Sequence, residues 1–190
     1  MARLAEQRSR DLPLFVLGHS FGGLVGASWI AFDTENKVRG LILTSPNFGI
    51  AIHVPAWRHW LALAGSYLTP DYTQDNRVNS NFLTHDPTIF EQYKMDRFVH
   101  HQISARLYRE LVQQLARKKE IASKLKLPVL VLQAGDDRVV SKQATTSFFE
   151  SLSSKDKKLE VFPELYHEIL NETCRQDLFA KIGLWIEQHL

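Results

Sequence analysis

The sequence predicts an α/β fold, a mostly parallel sheet with flanking helices, and three observations predict it. Short apolar runs that read as strands alternate with segments of helical periodicity. The first run, Leu14 to Leu17, is apolar on both faces, as a strand covered by helices requires. A glycine-rich turn, "GHSFGG" at residues 18–23, joins that run directly to a helical pattern.

Each element follows in order. After the Leu14–Leu17 strand, Leu24 to Phe32 is predicted helical, and the small residues Gly23, Gly26 and Ala27 let it pack close to the sheet. "VRGLILT", Val38 to Thr44, is the second strand and "VLVLQ", Val129 to Gln133, the third. The chain between them is far longer than a simple crossover needs. Residues 46–125 are therefore predicted to be a helical cap inserted over the carboxyl edge of the sheet. Within that stretch, Leu107, Leu111 and Leu115 recur at i+4 spacing and predict a helix. Ser141 can cap a helix that runs to about Leu152. "LEVF", Leu159 to Phe162, is the fourth strand. Leu178, Ile182, Trp185 and Ile186 form the apolar stripe of a C-terminal helix. At 190 residues, the chain is predicted to be one domain with a real core.

Composition narrows the function classes. Hydrophobic residues make up 44% and charged residues 23%, an ordinary globular balance. The formal net charge is +2 with no basic stripe, which argues against a nucleic-acid partner. "RKKE" and "SSKDKK" are short, mixed and read as solvated surface. Cys174 is the single cysteine, so an internal disulfide is impossible and a reducing, cytoplasmic setting is expected. "MARLAEQRSRDL" lacks the apolar core of a secretory signal, and no apolar run approaches the ~18 residues of a membrane span.

The turn carries the chemistry. Ser20 lies between a strand and a helix, where a sharp turn would strain its backbone and lift its hydroxyl above the sheet. Side chains two residues away on either side would clash, so glycine is expected at Gly18 and Gly22. A serine nucleophile needs a base, and the base needs an acid to orient it. Both candidates occur in loops after strands, in the order such a fold demands. "QAGDDRVV" follows the third strand with Asp136 and Asp137, and "FPELYHEILNE" follows the fourth with His167. The remaining histidines read as structural or surface residues. His19 should point away from Ser20, while His53, His59, His85, His100 and His101 fall in the expected cap and His189 ends the last helix. No metal site is expected. Neighbouring His100 and His101 would diverge on a helix, and "HEILN" lacks the second histidine of a zinc-protease motif.

At these residues the chain resembles the monoacylglycerol lipase and lysophospholipase group of α/β-hydrolases, also described as serine-aminopeptidase-like. "LPLFVLGHSFGGLVG" resembles its elbow and "LTHDPTIFEQYKMDRFVHHQISARLYREL" the cap of its bacterial members. "LPVLVLQAGDDRVV" and "YHEILNE" resemble its acid and base segments. The resemblance implies Ser20 as nucleophile, His167 as base and Asp137 as acid. Asp137 is preferred to Asp136 because Arg138, Val139 and Val140 follow it as in the family. Arg97 stands where relatives often carry proline.

The family also implies strands ahead of the elbow strand and a His-Gly loop that completes the oxyanion hole. Only 19 residues precede Ser20, so the chain reads as an N-terminally shortened form with an exposed elbow strand. The Phe21 N–H is the one oxyanion donor in view. The implied reaction is ester hydrolysis through an acyl-enzyme, without metal or organic cofactor, on a small-molecule lipid ester. The alternatives are a catalytically impaired remnant or binding module, and a hydrolase of other esters, amides or thioesters. In the expected cap, Trp57, Trp60, Leu61, Ala64 and Leu68 make one stripe at helical spacing. The stripe either packs on the sheet or guides an acyl chain to Ser20 and touches a membrane peripherally.

Overall fold

The computed structural model describes residues 12–51 and 54–190. The expectations about residues 1–11 and His53 lie outside the described residues.

The elements run β1 (Leu14–His19), α1 (Phe21–Phe32), β2 (Val38–Thr44), α2 (Ala56–Leu68), β3 (Thr73–Asp75), α3 (Pro87–Met95), β4 (Gln102–Ser104), α4 (Ala105–Ala116), α5 (Lys118–Lys124), β5 (Val129–Ala134), α6 (Lys142–Glu150), β6 (Lys157–Phe162) and α7 (Arg175–Glu187). Short 3-10 turns at Ser80–Phe82 and Ile169–Asn171 complete the path. The main sheet has the order β1-β2-β5-β6, and every pairing in it is parallel. β3 and β4 form a separate antiparallel pair.

Strand alternation explains the continuous apolar runs. Leu41 and Leu43 of β2 and Val129 and Val131 of β5 meet Leu24, Ala27 and Ile30 of α1, with Phe48, Ile121 and Phe148. Ile42, Leu130, Leu132 and Ala134 point the other way, onto Leu178, Ile182 and Trp185 of α7. Phe48 and Phe148 stack at 3.4 Å and join α6 to the loop after β2. The helix starts obey side-chain capping. Asp86 accepts from the Thr88 and Ile89 N–H groups with Pro87 at the first helical position, Ser104 from Leu107 and Ser141 from Ala144.

β1 is the exposed elbow strand that was expected, and not a strand buried on both faces. It stands at the edge of the described sheet, and Leu17 is 47% exposed. Leu107, likewise expected on an apolar stripe, is exposed, whereas Leu111 of the same helix is buried. The functional consequence of the topology is simple. The carboxyl ends of β1, β5 and β6 lie along one edge, separated only by β2.

Candidate active site

The turn after β1 is held from three sides. Ser20 N–H donates to Thr44 O at 3.0 Å, while Ser20 O accepts from Gly23 N–H at 3.0 Å and Asn47 N–H at 2.9 Å. These bonds fix Ser20 at φ 52, ψ −123, a sparsely populated backbone region for a residue with a side chain. Such strain costs on the order of 1–3 kcal/mol and persists where the surroundings over-determine it. Gly18 is required sterically: a Cβ there would sit 2.7 Å from Gly22 O and Gly23 Cα. Gly22 corrects the expectation, because a Cβ there would meet nothing within 4 Å. The crowded partner is Gly23 instead, whose Cβ would lie 2.9 Å from Pro46 Cβ. Phe21 begins α1, so its N–H has no intrahelical carbonyl and is free to face an anion beside Ser20.

The expected base and acid, His167 and Asp137, arrive on the neighbouring loops. His167 Nε2 lies 2.9 Å from Ser20 Oγ. Its Nδ1 lies 2.8 Å from Asp137 Oδ2. A carboxylate only accepts, so the ring proton resides on Nδ1 and the Nε2 lone pair faces the serine hydroxyl. Asp137 is itself oriented: Oδ1 accepts from Val139 N–H and Val140 N–H, each at 2.9 Å, and Gln133 Nε2 lies 3.3 Å from Oδ2. Both side chains are sealed from solvent, at 4% exposure for His167 and none for Asp137. The Asp136 side chain is exposed and pairs with Arg138 at 3.2 Å instead. The guanidinium of Arg138 in turn covers the Phe82 ring at 3.9 Å.

The loop that carries His167 is bolted to the chain around residues 83–86. Glu172 is fully buried and accepts from Tyr166 N–H at 3.0 Å and His85 N–H at 3.1 Å, and its Oε1 lies 2.8 Å from His85 Nδ1. The His85 ring stacks on Tyr166 at 3.8 Å. Glu168 N–H donates to Leu83 O, Thr84 Oγ1 donates to Asn171 O, and Arg175 pairs with Asp86, all at 2.8 Å. The Arg175 guanidinium holds the Asp86 carboxyl below its ordinary range, helped by the Thr88 and Ile89 amides.

His19 does not point away from the site as strand alternation suggested. Its ring lies 5.0 Å from that of His167. Alternation governs residues within a strand, and Ser20 leaves β1 at positive φ, so its side chain no longer follows the pleat. His59, His101 and His189 sit in structural contacts, while His100 is exposed. His59 Nδ1 lies 2.9 Å from the Tyr108 hydroxyl, and His189 packs on Trp185. Trp57, Trp60, Leu61, Ala64 and Leu68 lie on the outer side of α2, with Trp60 68% and Leu68 86% exposed. They do not pack on the sheet. The inner side of the helix instead presents buried Ser66, and Arg58 and Ala62 line a cavity of about 110 Å³ against the β3–β4 pair and α4. Among the described residues, no group of three His, Cys, Asp or Glu side chains is placed to hold a metal ion.

Three contributors escaped sequence reasoning: Gln133, Glu168 and Glu172. Gln133 had a signal, a polar residue ending an otherwise apolar strand. The two glutamates beside the histidine carry no local signal that sets them apart.

A family model described as "Serine aminopeptidase, S33" matches residues 1–174. Phospholipase YtpA of Bacillus subtilis is 32% identical over 190 residues, covering all of this chain and 73% of that protein. Monoacylglycerol lipase of Mycolicibacterium smegmatis is 29% identical, covering 98% of this chain and 66% of that protein. The solved structure of Paleococcus ferrophilus monoacylglycerol lipase superposes with a TM-score of 0.89 at 26% identity, over 100% of this chain and 74% of that one.

Proposed function

The chain belongs to the serine aminopeptidase S33 family of α/β-hydrolases, and on that premise we propose that it hydrolyses carboxylic esters of monoacyl lipids, monoacylglycerols or lysophospholipids, with Ser20 as nucleophile. The observation that carries this reading is the alignment of Ser20 Oγ, His167 and Asp137 at 2.9 Å and 2.8 Å on three loops of one sheet edge. The substrate class is supported by relatives that are named monoacylglycerol lipase and phospholipase.

The mechanism follows from the atoms in place. His167 Nε2 takes the Ser20 hydroxyl proton as Oγ forms a bond to the ester carbonyl carbon. The carbonyl oxygen becomes an oxyanion, and the Phe21 N–H donates to it. Asp137 keeps the imidazole in its Nδ1–H tautomer and stabilises the imidazolium. As the intermediate collapses, the ester C–O bond breaks and His167 returns its proton to the departing alcohol oxygen. Water then repeats the sequence on the acyl-Ser20 ester, releasing the fatty acid and restoring the hydroxyl.

Of residues 46–125, expected to be a cap, the stretch that carries α2, β3, α3 and β4 serves as one over this edge, whereas Phe48, Ile121, Ala122 and Leu125 belong to the core under α1. The exposed Trp57, Trp60, Leu61 and Leu68 suit contact with the surface where lipid esters reside, since tryptophan favours such interfaces. No described helix is long and apolar enough to cross a membrane. The deciding experiment is titration with a fluorophosphonate, followed by mass spectrometry of the peptide that carries the label. One equivalent on Ser20 supports the reading. An unlabelled folded protein sinks it.

A further inference from the structure

A second carboxylate–imidazole pair stands beside the first. His19 Nε2 lies 3.4 Å from Glu168 Oε1, an ion-pair separation rather than a formed hydrogen bond, and this nitrogen is sealed from solvent with no other partner. The other nitrogen, Nδ1, lies 3.1 Å from Thr44 Oγ1. When the Thr44 hydroxyl donates to Nδ1, the ring proton sits on Nε2 and faces Glu168. The second oxygen of Glu168 accepts from Asn171 Nδ2 at 3.0 Å. The His19 ring closes the gap to His167, with centroids 5.0 Å apart and planes tilted by 50°.

We propose that Glu168, held by His19 against the ring of His167, is a positioning residue for the base: its carboxylate adds a second negative charge beside the imidazole and stabilises the imidazolium formed as Ser20 attacks. The inference rests on the serine-hydrolase reading of the same site.

The physical argument concerns charge in a dry place. His167 is nearly sealed from solvent, so its positive charge, once formed, loses most of its hydration. Asp137 answers that charge at Nδ1 only. A second fixed carboxylate lowers the cost further, and His19, with its Nε2 toward Glu168, holds that carboxylate in place. Burial alone would push the Glu168 carboxyl up. The imidazoles of His19 and His167 and the Asn171 amide outweigh it and keep Glu168 below the usual glutamate range. Glu168 is therefore an anion at neutral pH. The Tyr93 hydroxyl on α3 is pushed up first by burial and then by this same charge. The other charged groups near the base are paired with each other, Glu172 with His85 across Tyr166 and Asp136 with Arg138 on the rim.

The test is an NMR titration of the His167 imidazole in the full chain, wild type against Glu168→Gln and Glu168→Asp. Removing an anion disfavours the protonated ring, so Glu168→Gln should lower the His167 midpoint by about half to one pH unit. Glu168→Asp should restore most of it. In parallel, kcat should fall about 3- to 10-fold in Glu168→Gln with KM little changed, and the acid limb of kcat/KM should move to lower pH. Linkage makes the coupling reciprocal, so His167→Gln should raise the Glu168 carboxyl midpoint by a matching amount, a measurement that stands even if Glu168→Gln does not fold. A His167 midpoint unmoved in folded Glu168→Gln, or a Glu168 midpoint unmoved in His167→Gln, overturns the proposal. Fluorophosphonate labelling of wild type separates this failure from the other. Labelling with unmoved midpoints removes only the role of Glu168, and absent labelling removes the hydrolase reading whatever the midpoints do.

Discussion

The carboxylate of Glu172 accepts the backbone N–H of Tyr166 at 3.0 Å, and so grips the residue immediately before His167. The same carboxylate meets the backbone and the ring of His85, from the segment between β2 and β5. One buried acid thereby ties the base loop to the chain that overlies it. Truncation to Glu172→Ala strands these donors without a partner, at a cost of about 1–3 kcal/mol or more. A drop in chemical-denaturation midpoint together with a lower kcat is expected, because the base loop loses its anchor. A variant as stable and active as wild type would show that the loop is held by other contacts.

Ser20→Ala removes the attacking atom and leaves the turn's backbone bonds in place. Turnover of a monoacyl ester should fall by about 10⁴-fold or more and covalent labelling should vanish. Thermal unfolding should stay within about two degrees of wild type. Equal labelling in the variant would identify a different nucleophile.

The two adjacent aspartates make opposite predictions. Asp137→Asn keeps the shape but disturbs the Nδ1–H tautomer, and about a 10⁴-fold loss of kcat is expected. Asp136→Asn only weakens an exposed pair with Arg138, so activity should remain within about threefold of wild type. Steady-state kinetics of both variants decide the assignment, and a larger loss from Asp136→Asn would reverse it.

The elbow was legible in the sequence because its constraints are local. A strand, a tight turn and a helix must follow one another, and Ser, Asp and His must come in order after strands. What pair distances add could not be read. The stripe from Trp57 to Leu68 has a helical period, and a period fixes which residues share a face, not what covers that face. The structure leaves it facing outward. Glu168 and Glu172 differ from surface glutamates only through partners that are remote in the chain, Leu83 to His85 among them. Glycine spacing misled in one place: Gly22 belongs to the motif, but the steric demand falls on Gly18 and Gly23.

That distinction can be measured. Gly18→Ala forces a Cβ into the backbone of Gly22 and Gly23 and should yield insoluble or strongly destabilised protein. Gly22→Ala enters open space inside α1 and should keep or raise stability, by about 0.5–1 kcal/mol at most. Comparable damage from both substitutions would refute the steric assignment.

The proposed surface role of α2 predicts a chain-length dependence. Each methylene buried on binding contributes about 0.8 kcal/mol, so long monoacyl esters should outperform acetate esters in kcat/KM. Trp60→Ala should reduce turnover of vesicle-borne substrate more than that of a dispersed short ester. A flat profile that ignores the substitution would leave the exposed tryptophans without a role in lipid capture.

The parallel order β1-β2-β5-β6 has a consequence in time. β5 cannot pair with β2 until residues 45–128 have been made and gathered, and β6 can dock only onto β5. Ser20 and His167, 147 positions apart, are therefore expected to meet late in folding, since non-local pairings form slowly. A refolding sample should regain secondary structure before it regains reactivity toward a phosphonate. On that expectation, reactivity of the serine would time the completion of the sheet.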